Sequence, residues 1–332
     1  MNILGIETSC DETSASVVVD GQIMSNVVAS QIKWHQQYGG VVPELASRMH
    51  TEKINRVVGQ ALQDAGVTFS DLNAVGVTYG PGLEGALLVG LTAAKTIAKI
   101  TNIPLIPVNH LQAHIYAVYT DPVPPEFPFL ALIISGGHSI IAQVNDHFKI
   151  EILGSTRDDA IGEAFDKVSR VLGLGYPGGP AIEKSARDGN ETAFKFAIPM
   201  KHEGYELSFS GLKTAVISAV QQFSGGEMPV NDLAASFQKT IADTLIHKAK
   251  FAIANSNLKE VVFCGGVSAN SYIRTRLADA LSESGTRLIV PAFQYCTDNG
   301  GMIALTAYYF MQQHPGYSGT INSVKPNLSL CI

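Results

Sequence analysis

The stretch that decides the fold is Phe129-Leu130-Ala131-Leu132-Ile133-Ile134-Ser135-Gly136-Gly137-His138-Ser139-Ile140-Ile141-Ala142-Gln143-Val144. An unbroken apolar run, a polar turn with two glycines and a second β-prone run predict a buried hairpin over 129–144. Gly136 and Gly137 can adopt backbone conformations closed to other residues and let a ligand approach the main chain. A tight turn with nothing bound is the plainer use of the same residues.

The same plan stands at the start of the chain, where 2–7 reads as a strand, 8–14 as a polar turn and 15–19 as the returning strand. Beyond it, the spacing predicts a helix over 44–65, with Arg48, His50, Lys53 and Arg56 on its outer face. A buried strand at 74–78 then leads through Gly80-Pro81-Gly82 to a helix at 85–100 and a strand at 105–108. After the second hairpin come a helix at 159–172, a strand at 261–264 and the turn Gly265-Gly266. A helix at 268–281, a strand at 287–290 and a helix at 299–312 close the chain. Two passes through hairpin, helix, strand, glycine turn, helix, strand predict a duplicated α/β fold. Its lobes would be 1–126 and 127–332, with a ligand cleft between them. A Gly- and Pro-rich insertion, about 173–231, interrupts the second lobe.

The chain has 332 residues, 46% of them hydrophobic and 16% charged, which is a composition for a packed core. The formal net charge of −6 excludes a global attraction to nucleic acid, so any RNA contact needs a local basic patch or a partner's surface. The cysteines Cys10, Cys264, Cys296 and Cys331 form no CxxC pair, which fits a reducing compartment. Met1-Asn2-Ile3-Leu4 has no basic flank and is followed by Glu7, Asp11 and Glu12, unlike a secretory leader. The apolar run at 129–134 is far short of the ~20 residues that span a bilayer. The expectation is a cytoplasmic protein with no membrane contact.

Four motifs carry chemistry. In Glu7-Thr8-Ser9-Cys10-Asp11-Glu12-Thr13, hydroxyls and backbone N–H groups can cradle phosphate, but three carboxylates repel it unless a cation is present. The turn therefore points to metal binding or catalysis, with a solvated hairpin as the alternative. In His110-Leu111-Gln112-Ala113-His114 the histidines share one helix face and can hold one metal ion, while Leu111 stands where a zinc protease has its general base. Asp298 is a candidate third ligand, although an Asp ahead of a helix also serves as an N-cap. In Gly265-Gly266-Val267-Ser268-Ala269-Asn270, Asn270 can pair with a ribose or base edge and Ser268 can cap the helix. The spacing is not GxGxxG, which disfavours a dinucleotide fold. Gly162-Glu163-Ala164-Phe165-Asp166-Lys167 and the following 173–180 segment read as a ligand loop or a linker.

Together these residues resemble the universal tRNA threonylcarbamoyladenosine transferase family, formerly described as glycoproteases. The resemblance runs from Gly5 to Thr13 through Gly39-Gly40-Val41-Val42-Pro43-Glu44-Leu45-Ala46-Ser47-Arg48 and the HxxxH. It continues through Ser135-Gly136-Gly137-His138, Tyr176-Pro177-Gly178-Gly179-Pro180 and Ser208-Phe209-Ser210-Gly211-Leu212-Lys213 to Thr297-Asp298-Asn299. Asn109 and Ser139 depart from the bacterial pattern, which often has His and Thr there. The resemblance implies an actin/Hsp70-like (ASKHA) ATPase fold and one iron or zinc ion, Fe(2+) foremost, on His110, His114 and Asp298. It implies an adenine nucleotide on Ile133, Ile134, Ser135, Gly136, Gly137, Asp166, Gly179, Glu183 and Asn270. Asp11 and His138 are its candidate proton handlers or orienting groups. It further implies transfer of threonylcarbamoyl from threonylcarbamoyl-AMP to the adenosine beside the anticodon of tRNAs reading codons that start with A. The expected partners are tRNA, a smaller paralogous subunit, an accessory P-loop ATPase and a separate synthase that makes threonylcarbamoyl-AMP.

Overall fold

Strand β1 (Asn2–Glu7) is the axis of the first sheet in the computed structural model, which describes residues 1–223, 226–256, 258–319, 323–330 and 332. Cys331 lies outside the described residues. β1 runs antiparallel to β2 (Glu12–Val19), with Ile6 opposite Ala15, and β2 antiparallel to β3 (Gln22–Ser30). On its other side β1 pairs in parallel with β4 (Ala74–Gly80), and β4 with β5 (Leu105–Asn109). The order is β3-β2-β1-β4-β5. The helices here are a one-turn α1 (Ile32–His35), α2 (Pro43–Ala65), α3 (Glu84–Thr101) and α4 (His110–Tyr116). Pro43 and Glu44 open α2 where a missing N–H and a negative charge are both favourable, and Gly66 ends it at φ 68°. Leu4, Ile6, Val17, Val75 and Val77 bury one sheet face against α2 and α3.

The second sheet repeats the first. β6 (Phe129–Ile134), β7 (Ser139–Asp146) and β8 (Lys149–Ser155) are antiparallel neighbours. β9 (Glu260–Cys264) and β10 (Arg287–Ile289) add in parallel on the far side of β6. The order β10-β9-β6-β7-β8 matches the first sheet strand for strand. Its helices are α5 (Ile161–Val171), α6 (Gly178–Ala186), α7 (Ser210–Gln221), α8 (Val230–Ser256) and α9 (Ser271–Ser282). The expected insertion at 173–231 is not a separate piece, because Ile182, Leu212 and Val216 join the core that holds Leu130, Phe165 and Phe237. The helix expected at 268–281 begins at Ser271, after a 3-10 turn over Gly266–Ala269.

The largest departure from the sequence expectation is the closing segment. The chain divides into one unit of Met1–Pro124 with Ala292–Ile332 and another of Pro125–Pro291. The expected second lobe of 127–332 thus gives up its last part, including α10 (Gly300–Gln313), to the first unit. The cause is a backbone-to-backbone fit, in which a Cβ on Gly5 would stand 2.4 Å from the amide nitrogen of Ala304. A Cβ on Gly300 would stand 2.6 Å from the main chain of Ala15. Glycines on both surfaces let α10 lie directly on β1 and β2. No helix among the described residues is long and apolar enough to cross a membrane.

Candidate functional site

The α10 fit brings Asp298 to α4. Asn109 starts α4 by accepting hydrogen bonds from the backbone N–H groups of Leu111 (2.8 Å) and Gln112 (3.2 Å). Asn109 is thus a helix cap. His110 and His114 follow on one face of α4, ring centroids 4.8 Å apart, and both are buried. Asp298 Oδ1 lies 3.5 Å from His110 Nε2 and 3.3 Å from His114 Nε2. The three ligand atoms stand within 4.8 Å of one another. Asp298 is not a helix cap, since Asn299 takes that role by accepting Met302 N–H at 3.0 Å.

Two observations fit a metal ion here. His114 is fully buried, and neither of its ring nitrogens has a hydrogen-bond partner. Its Nε2 approaches Asp298 without hydrogen-bond alignment. A buried imidazole left this way costs about 1–3 kcal/mol unless a ligand takes it up. Second, His110 is oriented from behind. Its Nδ1 lies 3.1 Å from Glu7 Oε2 and 3.3 Å from Ser9 Oγ, which sets the tautomer that presents Nε2 to a metal. A carboxylate closing an otherwise apolar strand was the signal for Glu7, whose orienting role the sequence reading did not assign.

Burial and neighbouring charge together set the pKa directions of this centre. Burial alone would lower the pKa of His110, but Asp298 and Glu7 outweigh it and push it up to about 9. Burial would raise that of Glu7, and His110 brings it below the usual carboxylate value. Glu12 is pushed well up by burial, then by Asp11 and Asp298, and Cys10 rises well above its ordinary value for the same reasons.

The turn between β1 and β2 is not a solvated hairpin, because Thr8, Ser9 and Asp11 are all buried. Two of its donors are engaged within the protein. Ser9 N–H donates to Glu7 Oε1 at 2.5 Å and Thr8 Oγ1 to the carbonyl of Ala86 at 2.9 Å. His50, expected on the outer face of α2, is fully buried and lies 2.9 Å from the Cys10 carbonyl and 2.8 Å from Thr13 Oγ1. It braces the turn that carries Asp11.

In the second unit, Ile133 and Ile134 are buried in β6 and Ser135 is buried at its end. The turn closes by Ser135 N–H donating to the His138 carbonyl (2.8 Å) and His138 N–H to Ser135 Oγ (3.2 Å). A Cβ on Gly136, Gly137, Gly179 or Gly266 would meet nothing within 4 Å, so these backbones border open space. The start of α5 supports the turn, with Glu163 N–H donating to the Gly136 carbonyl at 3.1 Å. Asp166 accepts Gly178 N–H at 2.7 Å and so sets the start of α6. Glu183 Oε1 accepts Ser271 N–H at 3.0 Å, tying α6 to α9. Asn270 caps α9 through Ile273 N–H (2.9 Å) and donates to Gln238 Oε1 (2.9 Å). Asn270 rather than Ser268 is therefore the cap, and Ser268 Oγ is buried without a partner. Glu183, Arg187, Gln238, Ser271 and Tyr272 line a cavity of about 230 Å³. The first unit thus brings together a candidate metal-ligand triad, and the second a set of glycine backbones and helix starts that border open space.

The sequence model of the tRNA N6-adenosine threonylcarbamoyltransferase family matches residues 22–305. The chain is 48% identical over 333 aligned positions to the tRNA N6-adenosine threonylcarbamoyltransferase of Caldicellulosiruptor saccharolyticus, covering 99% of this chain and 98% of that one. It is 50% identical to that of Desulfitobacterium hafniense, over 93% and 92% of the two chains. Among solved structures it resembles full-length HypF in its phosphate- and nucleotide-bound form (TM-score 0.65, 16% identity, 96% of this chain and 56% of that one). It also resembles component A of the (R)-2-hydroxyglutaryl-CoA dehydratase of Acidaminococcus fermentans (TM-score 0.57, 16% identity, 94% and 99%). At that identity the structures speak for the fold alone, which is ASKHA-like. With buried Leu111 where a protease needs its base, and with relatives matched over nearly their whole length, the chain belongs to the tRNA N6-adenosine threonylcarbamoyltransferase family and is a transferase.

Proposed function

We propose that the chain moves the threonylcarbamoyl group of threonylcarbamoyl-AMP onto the N6 amine of the adenosine beside the anticodon, in tRNAs reading codons that start with A. The N6 lone pair attacks the carbamoyl carbon, the bond from that carbon to the phosphate oxygen breaks, AMP leaves with the electron pair, and N6 loses a proton. The observation that carries the reading is the buried His114 with both nitrogens unpartnered beside Asp298. A divalent ion on His110, His114 and Asp298, Fe(2+) or Zn(2+), would supply Lewis-acid stabilisation of negative charge on the donor, worth several kcal/mol. Glu7 and Ser9 hold His110 in the ligating tautomer. The Gly136-Gly137 turn and the N-terminus of α6 at Gly179 offer backbone N–H groups to the AMP phosphate, whose negative charge a helix start favours. Asp166, Glu183 and Asn270 support that reading by fixing where α6 and α9 begin. Asp11 and His138 are the candidate acceptors of the N6 proton. The work is cytoplasmic and needs tRNA, a smaller paralogous subunit, an accessory P-loop ATPase and an upstream synthase of threonylcarbamoyl-AMP. The test combines threonylcarbamoyl-AMP, unmodified tRNA, this chain and the partner proteins, with nucleoside mass spectrometry as the readout. Threonylcarbamoyladenosine and AMP should form together. Equal product without this chain would defeat the proposal.

A further inference from the structure

Trp34 is the chain's one tryptophan, and it stands 57% exposed on the segment between β3 and α2. Tyr38, four residues on, is 60% exposed. An indole is normally well covered, so leaving it in water needs a reason. Neither ring has a hydrogen-bonding or stacking partner among the described residues. The backbone beneath them is tightly held. His35, between the two rings, is fully buried, its Nδ1 accepting Val42 N–H at 3.2 Å and its Nε2 lying 3.1 Å from Gln31 Oε1. Gln31 is itself buried, and its N–H donates to the Asp11 carbonyl at 3.0 Å. One side of the 31–42 segment is thus fastened to the turn beside the metal triad, while the other presents Lys33, Trp34 and Tyr38 to solvent.

The charge around that turn decides what these rings can hold. Asp11 and Asp298 are acidic and the whole chain carries −6, so a phosphate backbone finds little attraction there. Stacking on an aromatic ring does not depend on the sign of the surrounding charge, and unpaired bases are the part of RNA that offers a free face. We propose that Trp34 and Tyr38 stack unpaired bases of the tRNA anticodon loop next to the target adenosine, with Lys33 meeting the phosphate between them. This inference rests on the transferase reading above. A protein partner is the poorer fit, because exposed Gln36 and Gln37 separate the two rings along the segment.

The chain's one tryptophan gives the test its probe. Emission of the full enzyme, assembled with its partner proteins, is followed against the same assembly carrying Trp34→Phe, so that the difference reports Trp34, while unmodified tRNA, its anticodon stem-loop or a fully paired RNA duplex is added. The tRNA and stem-loop should change Trp34 emission, and the duplex should not. Trp34→Ala should raise KM for tRNA about 5- to 150-fold, the range that one base–ring stack supplies, with kcat, metal content and melting temperature held. Trp34→Phe should restore KM to within a few-fold of the parent. Silent emission with the stem-loop, or an unchanged KM in both Trp34→Ala and Tyr38→Ala, would overturn the proposal. So would emission that responds to the smaller subunit and not to RNA. If the unsubstituted assembly makes no modified adenosine, the proposed function itself fails; an active assembly indifferent to both Trp34→Ala and Tyr38→Ala removes only this inference.

Discussion

At the scale of single residues, the metal triad makes opposite demands of its two histidines. His114 has no hydrogen-bond partner to lose, so His114→Ala should strip the metal while the metal-free protein loses only the packing of the buried ring. Metal at one equivalent in that variant, by elemental analysis, would refute the assignment. His110 is different, because removing it leaves fully buried Glu7 without its cation, a loss of about 3–5 kcal/mol for a broken buried pair. The same pairing sets a pH dependence. With its folded pKa near 9 and an unfolded value near 6.5, His110 contributes stability that is complete below ~6.5 and lost as pH rises through ~9. Glu12, whose pKa is also raised, adds in the same direction. The metal-free protein should therefore lose melting temperature between about pH 7 and 9, while metal affinity, which needs neutral His110, rises over the same interval. A flat or rising melting temperature without metal would sink this account. The i, i+4 histidines and Asp298 were legible in the sequence because spacing and ligand chemistry are local properties. Glu7 behind His110, and His50 beneath the Asp11 turn, were not, since both depend on which strand and helix meet across the core.

At the scale of elements, the strands and helices with strong apolar periodicity were readable, and those without it were not. β3 and β8 are edge strands with no clean alternation of apolar and polar residues, held by pairing with β2 and β7 and, for β3, by Val27 and Ala29 against the core. α8 buries residues around most of its circumference, which erases the amphipathic stripe. Gly5 and Gly300 read only as turn or spacer residues until the helix lies on the strand. Gly5→Ala should force α10 away from β1, since the new methyl would meet backbone at 2.4 Å with no side chain able to yield. A loss of about 1–3 kcal/mol or more is expected from the overpacking, together with weakened metal binding because Asp298 precedes α10. Denaturant unfolding and metal titration check both parts, and a variant that loses stability yet binds metal as tightly would separate the helix from the site. α2 and α3 also leave between them a groove of about 750 Å³ lined by Ile54, Val58, Phe69, Leu88 and Ile97, with Leu88 and Phe69 exposed. This is the surface on which the proposed smaller subunit should seat. Leu88→Asp should abolish its co-elution on gel filtration while leaving the metal triad filled. An intact complex would place the subunit elsewhere.

At the scale of the whole molecule, duplication was legible because the same order of elements recurs, and the matched sheet orders carry it through. The division of the chain was not, because no composition shift marks where it returns to the first unit at Ala292. Net charge is the other whole-molecule property, and it limits how the chain meets its RNA. A protein that neutralises 6–10 phosphates loses about 10³–10⁵ in affinity between roughly 50 and 200 mM salt. A chain of net charge −6, with Lys33 the cation on the segment that carries its exposed rings, offers few phosphate contacts there. One or two phosphate contacts predict a loss on the order of 10-fold over the same salt range. The isolated chain should therefore bind unmodified tRNA weakly and with little salt sensitivity, its contacts resting mainly on stacked bases. Adding the smaller subunit and the ATPase should both tighten binding and steepen the salt dependence, because the missing cations would be theirs. Filter binding at the two salt concentrations, with and without partners, reads the difference directly. Tight, steeply salt-dependent binding by the chain alone would mean that it carries a phosphate-binding surface of its own, and the division of labour between stacking here and charge on the partners would be wrong.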